Sequence, residues 1–366
     1  MHKSSARDVR PQQRGKLAVE QPSSTIRPRG PFEQSRRPLM AYRTMRGKKS
    51  NSSTGSSSWL GPALIGSAAV LGAAAIYNTK RARDAEHKYP PIGRFLEVNG
   101  VRLHYIDRGQ GEPVVLIHGN GTMLQDFTVS GLVDHLSARH RVIVFDRPGY
   151  GYSDRPRGLW TSRAQAKMLE KGLQQLGIHQ AVVLGHSWGT LVAVALALQA
   201  PLLVRSLVLA SGYYYPTIRA DVFLQSPPAI PLLGDVMRYT VSPPIARLMP
   251  PRMIRRAFEP APVPKQFDSL FPKELMVRPS QLRAAAEDSA LMIPGTVALQ
   301  DHYRDLAMPV RIIAGADDQI ADVGRQSRRL HGELPGSKFV LLQGLGHMIH
   351  HSAPLDLIRA IEFTAH

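Results

Sequence analysis

The sequence predicts an α/β fold with a mostly parallel sheet that helices cover on both faces. Short apolar runs alternate with helical segments over residues 94–210, and the same alternation returns over residues 310–342. Strands that are apolar throughout are typical of a parallel sheet buried on both sides. A proline-rich stretch of about 90 residues separates the two regions and lacks any strand pattern, which indicates an inserted helical region.

Residues 1–58 are predicted to form a basic, disordered tail. They contain 13 Lys or Arg and three Asp or Glu, so they carry +10 of the chain's formal charge of +18. The tail is rich in Ser, Pro and Gln and has no hydrophobic period, which is typical of a solvated segment. Because the charge is concentrated in a tail that precedes an apolar segment, phospholipid headgroups are favoured over nucleic acid as its partner.

The apolar segment is Trp59–Tyr77, which contains 19 residues and no charge. As a helix it would be about 28 Å long, close to the thickness of a bilayer core. Aromatic residues stand at both ends, where interfacial aromatics belong. The alternatives are a cleavable signal segment and a buried helix, but Lys80 and Arg81 just beyond it oppose export and cleavage. We therefore predict a single-pass membrane anchor, with membrane lipid as a partner; basic residues at both ends leave its orientation open.

A linker is expected over residues 78–91, and the folded domain is expected over residues 92–366. Asn99-Gly100 joins two strand-like runs, which is a strong hairpin signal. Strands are expected at residues 94–98, 101–106, 113–117, 141–145, 181–184, 205–210, 310–314 and 338–342, and helices at 161–176, 190–200 and 322–334.

Residues 215–306 interrupt the strand pattern with a proline-rich, helix-favouring sequence. An insertion between two strands of a doubly wound sheet lies at the carboxyl edge, where ligands bind. We therefore expect these residues to form a cap over the functional site.

The motif Gly-His-Ser-Trp-Gly at residues 185–189 lies between a predicted buried strand and a predicted buried helix. A serine between two glycines on such a sharp turn has its hydroxyl lifted clear of the sheet. The hydroxyl is a poor nucleophile until a base takes its proton and a third group orients that base. Asp317 and Asp318 follow the seventh strand and His347 follows the eighth. All of these residues should meet Ser187 at the same edge of the sheet.

Five motifs together resemble the α/β-hydrolase superfamily from about residue 92 to the end of the chain. They are His-Gly at 118–119, Asp-Arg-Pro-Gly at 146–149, the motif at 185–189, Gly-x-x-Asp at 315–318 and Gly-His at 346–347. The resemblance implies an α/β-hydrolase fold with Ser187 as the nucleophile, His347 as the base and Asp318 as the acid, with Asp317 as the less favoured alternative.

The resemblance also implies an oxyanion hole, which requires two backbone donors for the developing oxyanion. Trp188 supplies one N–H group. Asn120 supplies the other, with Gly121 as the alternative.

Other residues near these motifs receive mainly structural roles. His118 is expected to form hydrogen bonds beneath its loop, and Asp146 is expected to bind the backbone of its own turn. His350 and His351 are expected to face the cap or the surface.

Tyr213 and Tyr214 stand at the entrance to the cap and are predicted to contact substrate. Packing between the cap and the core is the alternative for both tyrosines.

These features predict a serine hydrolase that acts on a largely apolar small-molecule ester or other acyl compound through an acyl-enzyme, with no cofactor and no metal. A carbon–carbon bond hydrolase and an acyltransferase are alternatives with the same triad, and a non-catalytic membrane-tethered binding module is an alternative from another class. The resemblance implies that halide-releasing and epoxide-opening relatives use an aspartate nucleophile, so Ser187 argues against both activities. The chain has no cysteine, which excludes disulfides, thiolate metal sites and cysteine catalysis.

Overall fold

The computed structural model describes residues 60–218, 220–248 and 250–363. Its centre is an eight-stranded sheet with the order β1-β2-β4-β3-β5-β6-β7-β8. The strands are β1 (Arg94–Val98), β2 (Val101–Arg108), β3 (Glu112–Ile117), β4 (His140–Phe145), β5 (Ala181–His186), β6 (Val204–Ala210), β7 (Val310–Gly315) and β8 (Lys338–Leu342). β2 is antiparallel to β1 and β4, and the other neighbours are parallel. The predicted sheet is confirmed.

Sixteen α-helices are found in the described residues, together with short 3-10 and π-helical turns. They are α1 (Leu60–Lys88), α2 (Gln125–Val129), α3 (Leu132–Ser137), α4 (Ser162–Gln175), α5 (Gly189–Gln199), α6 (Ala220–Gln225), α7 (Leu233–Met237), α8 (Ser242–Leu248), α9 (Pro250–Phe258), α10 (Lys265–Leu270), α11 (Lys273–Met276), α12 (Pro279–Ala290), α13 (Met292–Gln300), α14 (Arg329–Glu333), α15 (Ile349–Ser352) and α16 (Pro354–Glu362).

The sheet is covered on both faces because its central strands are apolar on both sides. Every residue of β5 is buried. On one face the core includes Leu169 of α4 and Leu191 of α5. On the other face it includes Phe127 of α2, Leu136 of α3 and Ile361 of α16. The two cores fix the carboxyl ends of the strands, which carry the loops of the site.

The cap consists of helices α6 to α13 between β6 and β7. The described part of residues 215–306 contains no strand, as the sequence predicts. Asp288 of α12 and the carbonyl oxygen of Ala257 in α9 contact loops of the central domain. The cap is therefore attached to the core through both of these helices.

The predicted linker over residues 78–91 is wrong, because α1 continues to Lys88 and contacts the cap. The buried side chain of Asn78 donates hydrogen bonds to the carbonyl oxygens of Tyr239 (2.9 Å) and Thr240 (3.0 Å). Arg81 forms an ion pair with Glu274 at 2.9 Å. The contacts are made by polar side chains. In the sequence such side chains are typical of a solvated linker, which is why the sequence predicts a linker here.

Among the residues that the structure describes, no helix combines the length and apolarity needed to cross a membrane. The transmembrane helix expected over residues 59–77 is therefore not confirmed. Trp59 and the basic tail lie outside the described residues, so the membrane localisation stays a prediction.

The helix expected over residues 322–334 is also different in the structure. Residues 324–328 form a π-helical turn, and α14 follows directly from Arg329 to Glu333. The buried side chain of Gln326 in that turn accepts hydrogen bonds from the backbone N–H groups of Tyr214 and Tyr215. The turn therefore connects this segment to the start of the cap.

Candidate active site

Ser187 lies on a sharp turn between β5 and α5. Its φ of 53° is in the left-handed region, which costs a residue with a side chain about 1–3 kcal/mol. A Cβ atom on Gly189 would lie 2.3 Å from the carbonyl oxygen of Ile117. No side chain fits at that position, which explains why the turn requires glycine after Ser187 and Trp188.

His347 and Asp318 form a buried pair at the ends of neighbouring strands. His347 Nδ1 lies 2.7 Å from Asp318 Oδ2. The other oxygen of Asp318 accepts hydrogen bonds from the backbone N–H groups of Ile320 (2.8 Å) and Ala321 (2.9 Å). Because Nδ1 of His347 is engaged by the carboxylate, Nε2 is the ring nitrogen that is left to accept a proton. The neighbouring Asp317 is exposed; its backbone N–H group donates to the carbonyl oxygen of Leu345, and its side chain has no hydrogen-bond partner among the described residues.

The loop after β3 lies directly against the serine. A Cβ atom on Gly119 would lie 3.1 Å from the Cβ atom of Ser187. The backbone N–H groups of Asn120 and Trp188 donate no hydrogen bond to any of the residues that the structure describes. They are the two donors that the sequence assigns to the oxyanion hole, and both are free to bind an oxyanion.

The side chain of Asn120 connects this loop to the cap. Its Nδ2 donates to the hydroxyl of Ser289 (2.9 Å) and to the carbonyl oxygen of Ala285 (3.2 Å) in α12. Its Oδ1 accepts a hydrogen bond from the hydroxyl of Tyr150 at 2.7 Å. The side chain is therefore fixed by the cap, and the backbone of Asn120 is held in place with it.

Arg147 and Asp288 form a fully buried ion pair that the sequence analysis missed. Arg147 Nη1 lies 2.6 Å from Asp288 Oδ2, and both side chains are completely inaccessible to solvent. Arg147 also donates to the carbonyl oxygens of His118 (2.9 Å) and Gly119 (2.8 Å), and its guanidinium group lies over the ring of Trp188. One side chain thus connects the loop after β3, the serine turn and the cap. The Asp-Arg-Pro-Gly motif marks Arg147, but no local signal marks Asp288, which lies 141 residues further along the chain.

His118 and Asp146 have the structural roles that the sequence predicts. His118 Nδ1 lies 2.9 Å from the carbonyl oxygen of Gly119, and its Nε2 accepts a hydrogen bond from the backbone N–H of Arg147 at 3.0 Å. Burial, together with the charge of Arg147, lowers the pKa of His118 to about 4, so it is neutral near pH 7. Asp146 accepts hydrogen bonds from the backbone N–H groups of Leu124 (2.8 Å) and Tyr152 (2.9 Å).

The prediction that these histidines face the cap or the surface is wrong for His350 and confirmed for His351, which packs against the cap. His350 is completely buried, and its ring centre lies 4.3 Å from that of His186, next to Ser187. Both histidines approach the buried carboxylate of Asp126, at 3.2 Å from His350 Nε2 and 2.8 Å from His351 Nε2. His351 also contacts the cap through the ring of Phe267. Asp126 is 225 residues away in sequence, so no local pattern could have indicated this cluster.

Burial and charge shift the pKa values within this cluster. Burial alone would raise the pKa of Asp126, but the adjacent imidazole of His350 and the hydrogen bond from His351 lower it well below its ordinary value. Burial lowers the pKa of His350 and of His186. His186 Nε2 lies 3.1 Å from the carbonyl oxygen of His347. The cluster therefore contacts the backbone of His347 through the ring of His186.

Among the described residues, one group of side chains could hold a metal ion. It consists of Asp126, His350 and His351, whose ligand atoms lie within 4.8 Å of one another. The 2.8 Å distance from Asp126 to His351 is that of a charge-assisted hydrogen bond. Hydrogen bonding therefore accounts for this contact without an ion.

Tyr213 and Tyr214, the predicted substrate contacts, are both buried. The hydroxyl of Tyr213 donates to the carbonyl oxygen of Thr217 at 2.9 Å. The ring of Tyr214 lies in the hydrophobic core and is perpendicular to the ring of Tyr303. This packing between cap and core was the second possibility for both tyrosines, and substrate contact by either stays a prediction.

A cavity of about 440 Å³ lies between the segment before α4 and the cap. Its lining includes Leu159, Trp160, Ile230, Arg238 and Leu291. None of the triad residues predicted from the sequence lines it, so this cavity is separate from the proposed site.

Comparison with known proteins decides the family. Residues 112–354 match the family described as alpha/beta hydrolase fold. The chain belongs to this family. Over 74% of its length it is 27% identical to 2-hydroxy-6-oxo-2,4-heptadienoate hydrolase of Pseudomonas putida, covering 95% of that protein. Over 75% of its length it is 25% identical to haloalkane dehalogenase 2 of Mycobacterium tuberculosis, covering 94% of that protein.

Solved structures agree on the fold. A thermophilic esterase from Thermogutta terrifontis superimposes with a TM-score of 0.60 at 23% identity, over 74% of this chain and 97% of the esterase. The hydrolase relatives support the assignment of this family member as a hydrolase enzyme.

Proposed function

We propose that this α/β hydrolase is a serine hydrolase that cleaves a largely apolar small-molecule ester or other acyl compound through an acyl-enzyme. The observation that carries the proposal is the buried pair of His347 and Asp318, with 2.7 Å between Nδ1 and Oδ2. This pair lies on the same edge of the sheet as Ser187, whose positive φ matches a nucleophile turn.

The proposed reaction has two steps. The hydroxyl oxygen of Ser187 attacks the acyl carbon while Nε2 of His347 takes its proton, and Asp318 holds the ring and stabilises its positive charge. The free backbone N–H groups of Trp188 and Asn120 stabilise the oxyanion. His347 then protonates the leaving alcohol, which departs and leaves an ester on Ser187. Water, activated by His347, hydrolyses this ester and releases the acid.

Carbon–carbon bond hydrolysis with the same residues is the second candidate. The 27% identity to the Pseudomonas putida hydrolase, which extends over most of both chains, favours it over acyl transfer and over a non-catalytic role. In that case a carbon atom rather than an oxygen atom leaves the tetrahedral carbon and must be protonated. Transfer of the acyl group to an acceptor other than water is a third candidate with the same acyl-enzyme. Dehalogenation is disfavoured, because Ser187 occupies the position of the aspartate expected from the resemblance to halide-releasing relatives.

The decisive test is active-site labelling of the full-length protein with a fluorophosphonate, which reacts with an activated serine. We expect labelling at Ser187, identified by peptide mass spectrometry, and its loss in Ser187→Ala. Ser206 is a matched control, since it is buried near the amino end of β6, away from the carboxyl edge that carries Ser187; Ser206→Ala should label normally. Labelling that persists in Ser187→Ala would remove the proposed nucleophile. A folded protein that takes no label would favour the non-catalytic binding module.

Substrate class is tested by turnover of p-nitrophenyl esters of increasing acyl length and of a vinylogous 1,5-diketone. Ester hydrolysis that rises with acyl length supports the proposal, with Ser187→Ala as the blank. Cleavage of the diketone alone would favour the carbon–carbon bond hydrolase.

A further inference from the structure

Exposed apolar side chains are concentrated in two segments of the molecule. Of the 25 exposed large apolar side chains in the described residues, 17 lie within residues 64–77 and 218–253. Residues 63–73 of α1 are exposed on every side of the helix, unlike an amphipathic helix that buries one face. Such a concentration exceeds the scattered apolar residues of an ordinary surface and marks an interaction site.

The two segments meet where α1 is fixed to the cap. Asn78 bonds to the backbone of Tyr239 and Thr240, between α7 and α8, and Arg247 of α8 donates to Asn78 Oδ1 at 2.9 Å. The exposed apolar residues of α7 and α8 therefore lie on the part of the cap to which α1 is fixed. We call the exposed apolar side chains of residues 64–77 and 230–248 the apolar surface.

Basic side chains border the apolar surface. Arg252, Arg255 and Arg256 of α9 are exposed and have no ion-pair partner among the described residues. Lys80 and Arg83 of α1 are also exposed and likewise unpaired within that part of the chain. The sequence before α1 adds a net charge of +10 over residues 1–58.

This combination identifies the partner. Apolar side chains bordered by cations are typical of surfaces that bind the interface of an anionic phospholipid bilayer, where each nearby Lys or Arg is attracted to the negative headgroups. A second copy of the chain would bring the same positive charges together and is disfavoured by their repulsion. We propose that the apolar surface docks on an anionic phospholipid bilayer, with α7 and α8 of the cap in contact with the lipid alongside α1.

Docking at this surface would place the site close to the lipid. The carbonyl oxygen of Ala257, at the end of α9, accepts a hydrogen bond from the backbone N–H of His347 at 2.8 Å. The helix that carries the unpaired arginines is thus bonded to the proposed base. If the proposed hydrolase function holds, an apolar substrate dissolved in the bilayer has a short path to Ser187; the docking itself does not depend on that function.

The test uses the absence of cysteine from the chain. Val236→Cys in the full-length protein carries a polarity-sensitive fluorophore on the apolar surface. Leu202→Cys is the matched control, because Leu202 is 87% exposed but precedes β6 at the opposite edge of the sheet. Vesicles of phosphatidylcholine with 30% phosphatidylglycerol should shift the emission of the label at 236 to the blue. Brominated acyl chains should quench it at least twofold, with neither effect at 202.

Equal responses of the two labels would overturn the proposal, because membrane binding would then come from other parts of the chain. A label at 236 that is shielded before vesicles are added, in a protein that elutes as a dimer, would assign the surface to a second copy. Neither outcome depends on catalysis. The test of membrane docking therefore stays valid even if the protein is not a serine hydrolase.

A second measurement places negative charge on the surface. Val236→Glu combined with Ile245→Glu should lower the vesicle-bound fraction in flotation at least tenfold, since both side chains would have to enter the interface as carboxylates. Leu202→Glu should leave binding unchanged, and circular dichroism checks the fold of each variant. Unchanged binding of the double variant would contradict contact between the cap and the lipid.

Discussion

Replacing Asp288 by Asn should destabilise the protein far more than removing a carboxylate at the cap surface. The Asp288 carboxylate accepts hydrogen bonds from Arg147 (2.6 Å), Arg155 (3.1 Å) and Gln165 (3.1 Å). The hydroxyl oxygen of Tyr150 lies 2.8 Å from the same carboxylate. In Asp288→Asn one acceptor oxygen becomes an NH₂ group that faces these donors. The guanidinium group of Arg147 then remains buried without its counter-ion.

The cost follows from that burial. Removing one partner of a buried ion pair costs about 3–5 kcal/mol, which is a large fraction of the roughly 5–15 kcal/mol that stabilises a typical domain. With a urea m-value of about 3 kcal/mol/M, the unfolding midpoint should fall by roughly 1–1.7 M.

The assay is urea unfolding followed by circular dichroism and by tryptophan fluorescence, with Asp268→Asn as the matched control. Asp268 is also a cap carboxylate with a cationic partner, Lys273, but 71% of its side chain is exposed. Its loss should change the unfolding free energy by no more than about 0.5 kcal/mol. If the two variants unfolded at the same urea concentration, the Arg147–Asp288 pair could not be the buried connection between cap and core that we describe.

Two further predictions concern the acid and the pH dependence. Asp318→Asn should lower ester turnover by about 10⁴-fold with the fold intact, because the orienting acid is lost, whereas Asp317→Asn should change it less than tenfold; the opposite result would assign the acid to Asp317. The free energy of unfolding should fall as the pH decreases from 6.5 to 4, because the pKa of His118 is lowered to about 4 in the folded protein and the unfolded chain takes up the proton first, a contribution of about 3 kcal/mol. Urea titrations over this range should show a shallower slope for His118→Gln than for the unchanged protein, and equal slopes would mean that His118 titrates normally.

The sheet and the contact between Asp318 and His347 could be inferred from the sequence because their signals are local. The strands are continuous apolar runs, and the strand around Val182 and Val183 is buried at every position. Asp318 and His347 directly follow two such strands, and parallel strands bring their carboxyl ends to one edge. In the structure both side chains are buried and His347 Nδ1 lies 2.7 Å from Asp318 Oδ2, as expected for residues at neighbouring strand ends.

The remainder could not be inferred, because it depends on pairs that are distant in sequence. No motif marks Asp126, and its partners, His350 and His351, lie more than 220 residues further along the chain. Asp288 could not be inferred either. Its helix has the sequence of a solvent-exposed helix, and only the three-dimensional fold shows that Asp288 contacts Arg147. Asn78 and Arg81 are polar, so the sequence predicts a solvated linker at these positions. In the structure both side chains bind the cap.

The cap enters and leaves the sheet through neighbouring strands, since β6 pairs with β7 and Leu207 lies opposite Val310. The entropy lost on closing a loop grows only with the logarithm of its length, so lengthening this connection from about 10 to about 100 residues costs roughly 2 kcal/mol. The sheet can therefore tolerate large changes in the inserted segment without losing its topology. During evolution, one cap sequence could replace another between β6 and β7. Such a replacement would change the residues over the proposed site, and the strands would fold as before.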